Sequence, residues 1–332
     1  GDVYKRQLFI VAIGENPIDA YAALFRGAFD GELRLGTTLA GFTPLLLTSI
    51  AFAVAAKAGA FNVGVEGEVF LGGITAAYIG INWTFLPKPA LYVACFVGAM
   101  VVAAAWAFIP AILRAYYNVN EVCTTILMNT VALYITSYLV SGPMSAGTAN
   151  AQSLPVTVRL YQFMKPSSVN VGIFIAAITV IVIIFMLQKS SWGYKIRTVG
   201  LNPTHADYVG IDSKKVFVGA MMLSGMLGGM AGCIEVLGVH GYFLNNFATG
   251  LGSNGMLAAL IVKNNMVSTP FMAFFLAVLK SGAMGMQQST GVPKSLVDTI
   301  TAVFIIIATM ETAFQFTKKR KKKTEEKKED KA

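Results

Sequence analysis

The sequence predicts an all-α fold, a polytopic bundle of about ten transmembrane helices. Three observations carry this. Hydrophobic residues make up 55% of the 332 and charged residues only 13%, against roughly a quarter charged in an ordinary soluble domain. Apolar runs of about 20 residues, the length that crosses a bilayer core, recur along the chain. Lys and Arg fall unevenly between the connections that alternate sides. Length alone would divide into two soluble domains, and the recurring runs override that prior.

Taken in order, GDVYKRQ at 1–7 lacks a methionine and does not look like a signal peptide; it reads as a fragment end or added remnant outside the fold. LFIVAI at 8–13 reads as what is left of a first helix. Further spans follow at about 38–57, 65–86, 90–113, 122–141, 169–188, 215–239, 247–263, 267–286 and 294–316. The membrane domain is thus 8–316, followed by a basic tail over 317–332. In KKRKKKTEEKKEDK (318–331) nine Lys or Arg face four acids, so +5 of the net +9 sits there. Such a segment predicts a disordered, solvated cytoplasmic end held near anionic headgroups, with no nucleic-acid partner.

With the C-terminus inside, 19 Lys and Arg fall on the inner side and 7 on the outer, as the positive-inside rule expects. An even helix count then places both termini in the cytoplasm. Two connections are long. Residues 141–168, outside, carry Pro, Gly and Ser punctuation. Residues 188–215, inside, carry Asn202 and Pro203 in the pattern of a cap and first-turn proline, predicting a short helix over Thr204–Val209 ended by Gly210. That helix reads either as a docking surface for a cytoplasmic partner or as an ordinary interfacial helix.

Chemistry-bearing motifs are few. There is no GxxxxGK[ST] phosphate loop, no HExxH and no GxSxG, and only two histidines, His205 and His240. No catalytic residue, metal site or cofactor is expected in this chain. Cys95, Cys123 and Cys233 lie in apolar segments without metal or redox spacing and read as small core residues.

Ionisable groups at membrane depth are the functional candidates, because burying them is costly. Glu121 follows Asn120 at the start of a span, where it complements a helix dipole. Glu235, followed by His240, reads as part of a solute pathway or as a structural ion pair. Nearby, Gly225 with Gly229 and Gly228 with Gly232 form small-xxx-small pairs suited to close helix packing. In AFNVGVEGEVFLGG (60–73) the chain turns after Lys57, and Asn62 or Gly64 caps a helix carrying Glu66 and Glu68 in its first turn. Two readings stand: an interfacial helix start, or a gate or path lining, which requires the helix to begin within the membrane.

Several motifs in order resemble one family. FNVGVEGEVFLGG (61–73) is similar to an FNIGVEGQ signature, NEVCTTILMN (120–129) to an NEV-x-x-TI-x-LN segment, and RTVGLNPTHADYVGI (197–211) to a coupling-loop pattern. IEVLGVHGYF, NFATGLGSNGMLAAL and MQQSTGVPKSLVD continue in the same order. Over about residues 40–314 the chain resembles the permease subunit of ABC importers for ribose, branched-chain amino acids and nucleosides, closest to the nucleoside branch that works with a basic membrane lipoprotein. It departs from that pattern at Asn254, where an acid is usual, at Tyr242, often an arginine, and at Thr204 and His205.

The resemblance implies a translocation subunit for nucleosides, purine ones first, in a bacterial cell membrane. Its partners would be a cytoplasmic ATPase that binds the ATP, a second permease subunit that is a copy or a paralogue, an extracytoplasmic binding lipoprotein, and membrane lipid. It places the ATPase-coupling loop at Gly200, Asn202, Pro203, His205, Asp207, Gly210 and Ile211. The path candidates are Glu66, Glu68, Asn129, Glu235, His240, Asn246, Asn254 and Gln287, with Asn245 beside them; such amides suit a neutral, hydroxyl-bearing solute or a helix-packing hydrogen bond equally. The alternatives are the same machine carrying a simple sugar or branched-chain amino acid, a proton-coupled secondary transporter using Glu235 and His240, and a membrane enzyme, against which the missing nucleophile and base argue.

Overall fold

The computed structural model describes residues 17–290. The segment 1–7, the run at 8–13, the span at 294–316 and the tail at 317–332 lie outside them. The helices are α1 (Pro17–Phe29), α2 (Gly31–Lys57), α3 (Val65–Asn82), α4 (Lys88–Tyr117), α5 (Glu121–Ser141), α6 (Gly172–Lys189), α7 (Ser191–Leu201), α8 (Pro203–Tyr208), α9 (Ser213–Ile234), α10 (Leu251–Ile261) and α11 (Thr269–Thr290). A π-helical turn, Glu235–His240, continues α9. Most of α1 and the last turns of α11 belong to a separate compact unit; all that follows concerns the unit Ala28–Ser281, unless stated.

Among the described residues, six helices are long and apolar enough to cross a membrane: α2, α4, α5, α6, α9 with its π turn, and α11. They match the predicted spans to within a few residues, except that α2 begins seven residues earlier. The run predicted at 247–263 forms only the 11-residue α10, about 16 Å long and half of what a crossing needs. Two helices, α1 and α7, fall where no element is predicted.

Burial sorts the helices. The apolar windows of α2 and α9 are 78% and 72% buried, those of α4, α5 and α6 only 33%, 17% and 28%. α2, α3 and α9 therefore form the centre, and α4, α5 and α6 flank them. The outward faces of α4 and α6 are uniformly apolar, with Val93, Val97, Val101, Phe174, Ile178, Ile181 and Phe185 exposed. Water would penalise that surface, whereas lipid tails are as apolar as the side chains.

The glycines of α9 explain its central position. A methyl on Gly225 would lie 2.7 Å from the Ala103 carbonyl oxygen, and one on Gly229 would lie 2.5 Å from that of Ala99. That pair faces α4. A methyl on Gly228 would lie 2.9 Å from the Glu68 side chain, and one on Gly232 would press on the Val69 carbonyl and the Gly73 nitrogen, so the second pair faces α3. Backbones approach on both sides because no side chain stands between them.

The long connection at 141–168 is ordered by the end of α9. Leu160 N donates to Leu237 O, Val156 N to Gly241 O and Ser153 N to Phe243 O, and Asn245 N donates back to Ala151 O, each at 2.9 Å. Arg159 donates to His240 O at 2.6 Å and Gln162 to Gly238 O at 2.8 Å. The wider π turn leaves carbonyls without helical partners, and the loop supplies the donors they need. The described residues hold isolated bridges but no strand.

Two expectations about single residues change. Cys95 and Cys233 are buried, but Cys123 is exposed on α5. Glu121 sits in the first turn of α5 as expected, and additionally pairs with Arg114 at 3.1 Å.

Candidate functional site

The α2–α3 break sets the site. Lys57 ends α2, and residues 58–64 return into the bundle before α3 starts at Val65. The depth of that start is read against α9: the Asn62 amide donates to Ser224 Oγ at 2.9 Å, and Glu68 packs on Gly228. At 1.5 Å per residue Gly228 is about 22 Å along α9 from Ser213. α3 therefore begins inside the bundle, not at its end.

Three side chains hold this internal start. Asn62 Oδ1 accepts from Gly64 N at 2.9 Å, a local turn that short amide side chains favour. Asn129, reaching across from α5, accepts from Gly67 N at 2.8 Å and donates to Val63 O at 2.9 Å. It thereby satisfies one of the donors a helix start leaves open. Asn62 Nδ2 also donates to Glu68 Oε1 at 2.9 Å; Glu68 is buried, and its Oε2 has no hydrogen-bond partner.

Glu66 points the other way, towards α10. Its Oε1 accepts from Gly250 N at 3.1 Å and its Oε2 from the Ser253 hydroxyl at 3.4 Å. Gly250, at φ +82°, turns the chain into α10, and a methyl on Gly252 would lie 2.6 Å from Glu66 N. Two helix N-termini thus meet at one carboxylate, which both dipoles favour. Around it Asn246, Thr249 and Ser253 are exposed and Asn254 is half-buried. This polar margin contrasts with the apolar outer faces of α4 and α6.

Glu235 and His240 bracket the π turn, with His240 Nε2 3.7 Å from Glu235 Oε2. Lys280 on α11 also acts on Glu235 electrostatically. Between these groups and Glu66 lies an aromatic cluster. Phe247 is edge-on to Phe70, one turn beyond Glu66, at 5.7 Å, to Phe243 at 5.2 Å and to His240 at 5.8 Å. The ring contacts run from Phe70 through Phe247 to His240 and its partner Glu235, and Glu66 stands one turn before Phe70 on α3.

Two further candidates are placed as follows. The Asn245 amide donates to Ser137 Oγ at 3.2 Å on α5. Gln287 is exposed on α11, in the separate unit. Sequence reasoning missed Ser224, Ser253, Arg159 and Gln162. Only Ser253, beside Asn254 in a glycine-rich run, carried a local signal.

The segment at 188–215 is built as its cap pattern predicts. Asn202 Oδ1 accepts from His205 N at 3.0 Å, Pro203 opens α8, and Gly210 has φ +79°. The Asp207 carboxylate accepts from the Ser213 amide and hydroxyl, both at 3.0 Å, tying α8 to the start of α9. Asp212 accepts from Lys215 N at 3.0 Å, and with the Lys215 ammonium beside it its carboxyl is held below the usual range. Arg197 donates to the Leu187 carbonyl, anchoring α7 on α6. Gly200 lies directly on the Lys57 carbonyl. Ala206 and Ile211 are buried, whereas Leu201 and Tyr208 are 88% and 86% exposed and Val209 and Tyr194 are also exposed.

Residues 34–309 match the family described as "Branched-chain amino acid transport system / permease component". The chain is 33% identical to the guanosine ABC transporter permease protein NupP of Bacillus subtilis, over 95% of this chain and 92% of that one. It is 31% identical to the nucleoside ABC transporter permease protein NupB of Lactococcus lactis, over 90% and 85%. It is 32% identical to the glucose ABC transporter permease protein TsgB13 of Haloferax volcanii, over 90% and 81%. No solved structure matches.

Proposed function

The chain belongs to the branched-chain amino acid transport system permease family, and from that premise we propose that it forms the translocation path for nucleosides, purine ones first, in an ABC importer. It is a multi-pass membrane protein and a permease component. The observation that carries the cargo is its 33% and 31% identity, over nearly the whole chain, to permeases named for guanosine and for nucleosides. The line from Glu66 through the Phe70–Phe247 rings to His240 suits such a cargo, since rings stack on a base and carboxylate and amide oxygens accept from ribose hydroxyls. Asn246, Ser253 and Asn254 extend the polar margin.

Permease subunits of ABC importers work with an ATPase and a substrate-binding protein. In our reading α7 and α8 are the cytoplasmic coupling element, with Tyr194, Leu201, Tyr208 and Val209 as its docking surface, ATP is bound by the partner alone, and a second permease subunit completes the path. Coupling then requires only that two packings of the bundle fit the ATPase pair differently.

The glucose permease, at 32% identity, favours a second reading in which the cargo is a simple sugar. Uptake of labelled guanosine by vesicles containing the complete importer separates the two. Competition by excess inosine but not by glucose or ribose is expected; the reverse pattern overturns the nucleoside reading.

A further inference from the structure

Glu66 differs from the other carboxylates of the bundle. Glu121 pairs with Arg114, and Glu235 has His240 and the charge of Lys280. Glu68 is shut inside the α3–α9 seam. Glu66 is half-buried, faces the polar margin of Asn246, Thr249 and Ser253, and pairs with no Lys, Arg or His among the described residues. Among the described residues, what compensates its charge is the Gly250 amide at 3.1 Å and the Ser253 hydroxyl at 3.4 Å.

Two consequences follow for a solute passing this point. Among the described residues the negative charge meets no fixed cation, so a phosphate or carboxylate arriving beside it is repelled with little screening in a partly dehydrated path. The two carboxylate oxygens hold about four acceptor sites, and two hydrogen bonds from the described residues use them. Acceptor capacity is left for hydroxyl or amino donors.

We propose that Glu66 sets the charge selectivity of the path, admitting neutral, donor-rich solutes and turning away their phosphate esters and other anions. The proposal rests on the reading of this face as the solute path, but not on the cargo being a nucleoside. Ser253 acts through Glu66 as a positioning residue, holding the carboxylate against α10.

Equilibrium binding to the purified assembly of permease pair and ATPase tests it, with two solute pairs as probes: guanosine against guanosine 5′-monophosphate, and glucose against glucose 6-phosphate. In the wild type the neutral member of whichever pair binds is expected to bind about tenfold or more tightly than its ester. In Glu66→Gln, which keeps an acceptor for Gly250 N, that ratio should fall to about twofold. Glu66→Asp should retain it, an outcome that separates charge from a merely structural role. Should Glu66→Gln fail to assemble, Ser253→Lys, at an exposed position, places a cation beside the carboxylate and should collapse the same ratio. An unchanged ratio in an assembled Glu66→Gln or Ser253→Lys overturns the proposal. Binding of glucose in place of guanosine overturns the cargo and leaves charge selectivity standing, whereas binding of neither neutral solute overturns the path reading and this proposal together.

Discussion

Replacing Gly232 with alanine tests whether α3 and α9 pack through bare backbone. The added methyl would stand 2.7 Å from the Gly73 nitrogen and closer still to the Val69 carbonyl oxygen. Neither obstacle is the flexible end of a side chain, so the helices must separate by about 1 Å or rotate. Overpacking of this kind costs about 1–3 kcal/mol. Separation also loosens the neighbouring contact, where a methyl on Gly72 would lie 2.7 Å from the Gly229 carbonyl carbon, and lost dispersion adds to the cost. For a chain of this size that corresponds to a melting temperature lower by roughly 1.5–5 °C, read from thermal unfolding in detergent. Gly41→Ala on α2 is the control, since nothing lies within 4 Å of its added methyl, and helix propensity alone should make it neutral or slightly stabilising. A Gly232→Ala protein melting within about 1 °C of the wild type would refute the packing reasoning.

Asn129→Ala leaves Gly67 N and Val63 O without their partner at the internal start of α3; a loss of about 2–4 kcal/mol, measured by denaturant unfolding, is expected. Gly200→Ala drives a methyl into the Lys57 carbonyl. The ATPase should still co-purify, but its hydrolysis should no longer respond to the loaded binding protein. Replacing 202–209 by a flexible linker should abolish ATPase co-purification while the bundle's melting temperature holds within about 2 °C; retained co-purification removes these residues from the docking surface.

The apolar runs, the cap at Asn202–Pro203 and the turn at Gly210 were legible because each depends on residues adjacent in sequence. So were the two glycine pairs of α9, whose spacing alone places them on neighbouring faces. What remained hidden depends on distance in the chain. Asn129 grips Val63 and Gly67 from more than sixty residues away. The depth of α3, which decides where Glu66 and Glu68 lie, is visible only through Ser224 and Gly228. The run at 247–263 looked like a crossing because hydropathy cannot tell a half-length helix with an apolar approach from a full one. The π turn has no periodicity of its own, and its partners Arg159 and Gln162 sit in a loop that looked like mere punctuation.

The lacing of residues 151–160 to 237–245 has a mechanical corollary. Each rung ties the chain after α9 to the chain before α6, so His240 cannot swing without dragging the whole stitched rim. Any hinge on this side must therefore lie past the last rung, at Asn245, and the left-handed residues Asn246 and Gly250 stand there. The aromatic plug at Phe247 hangs between those two pivots, where a small backbone rotation would carry it away from Phe70 while the rim stays still.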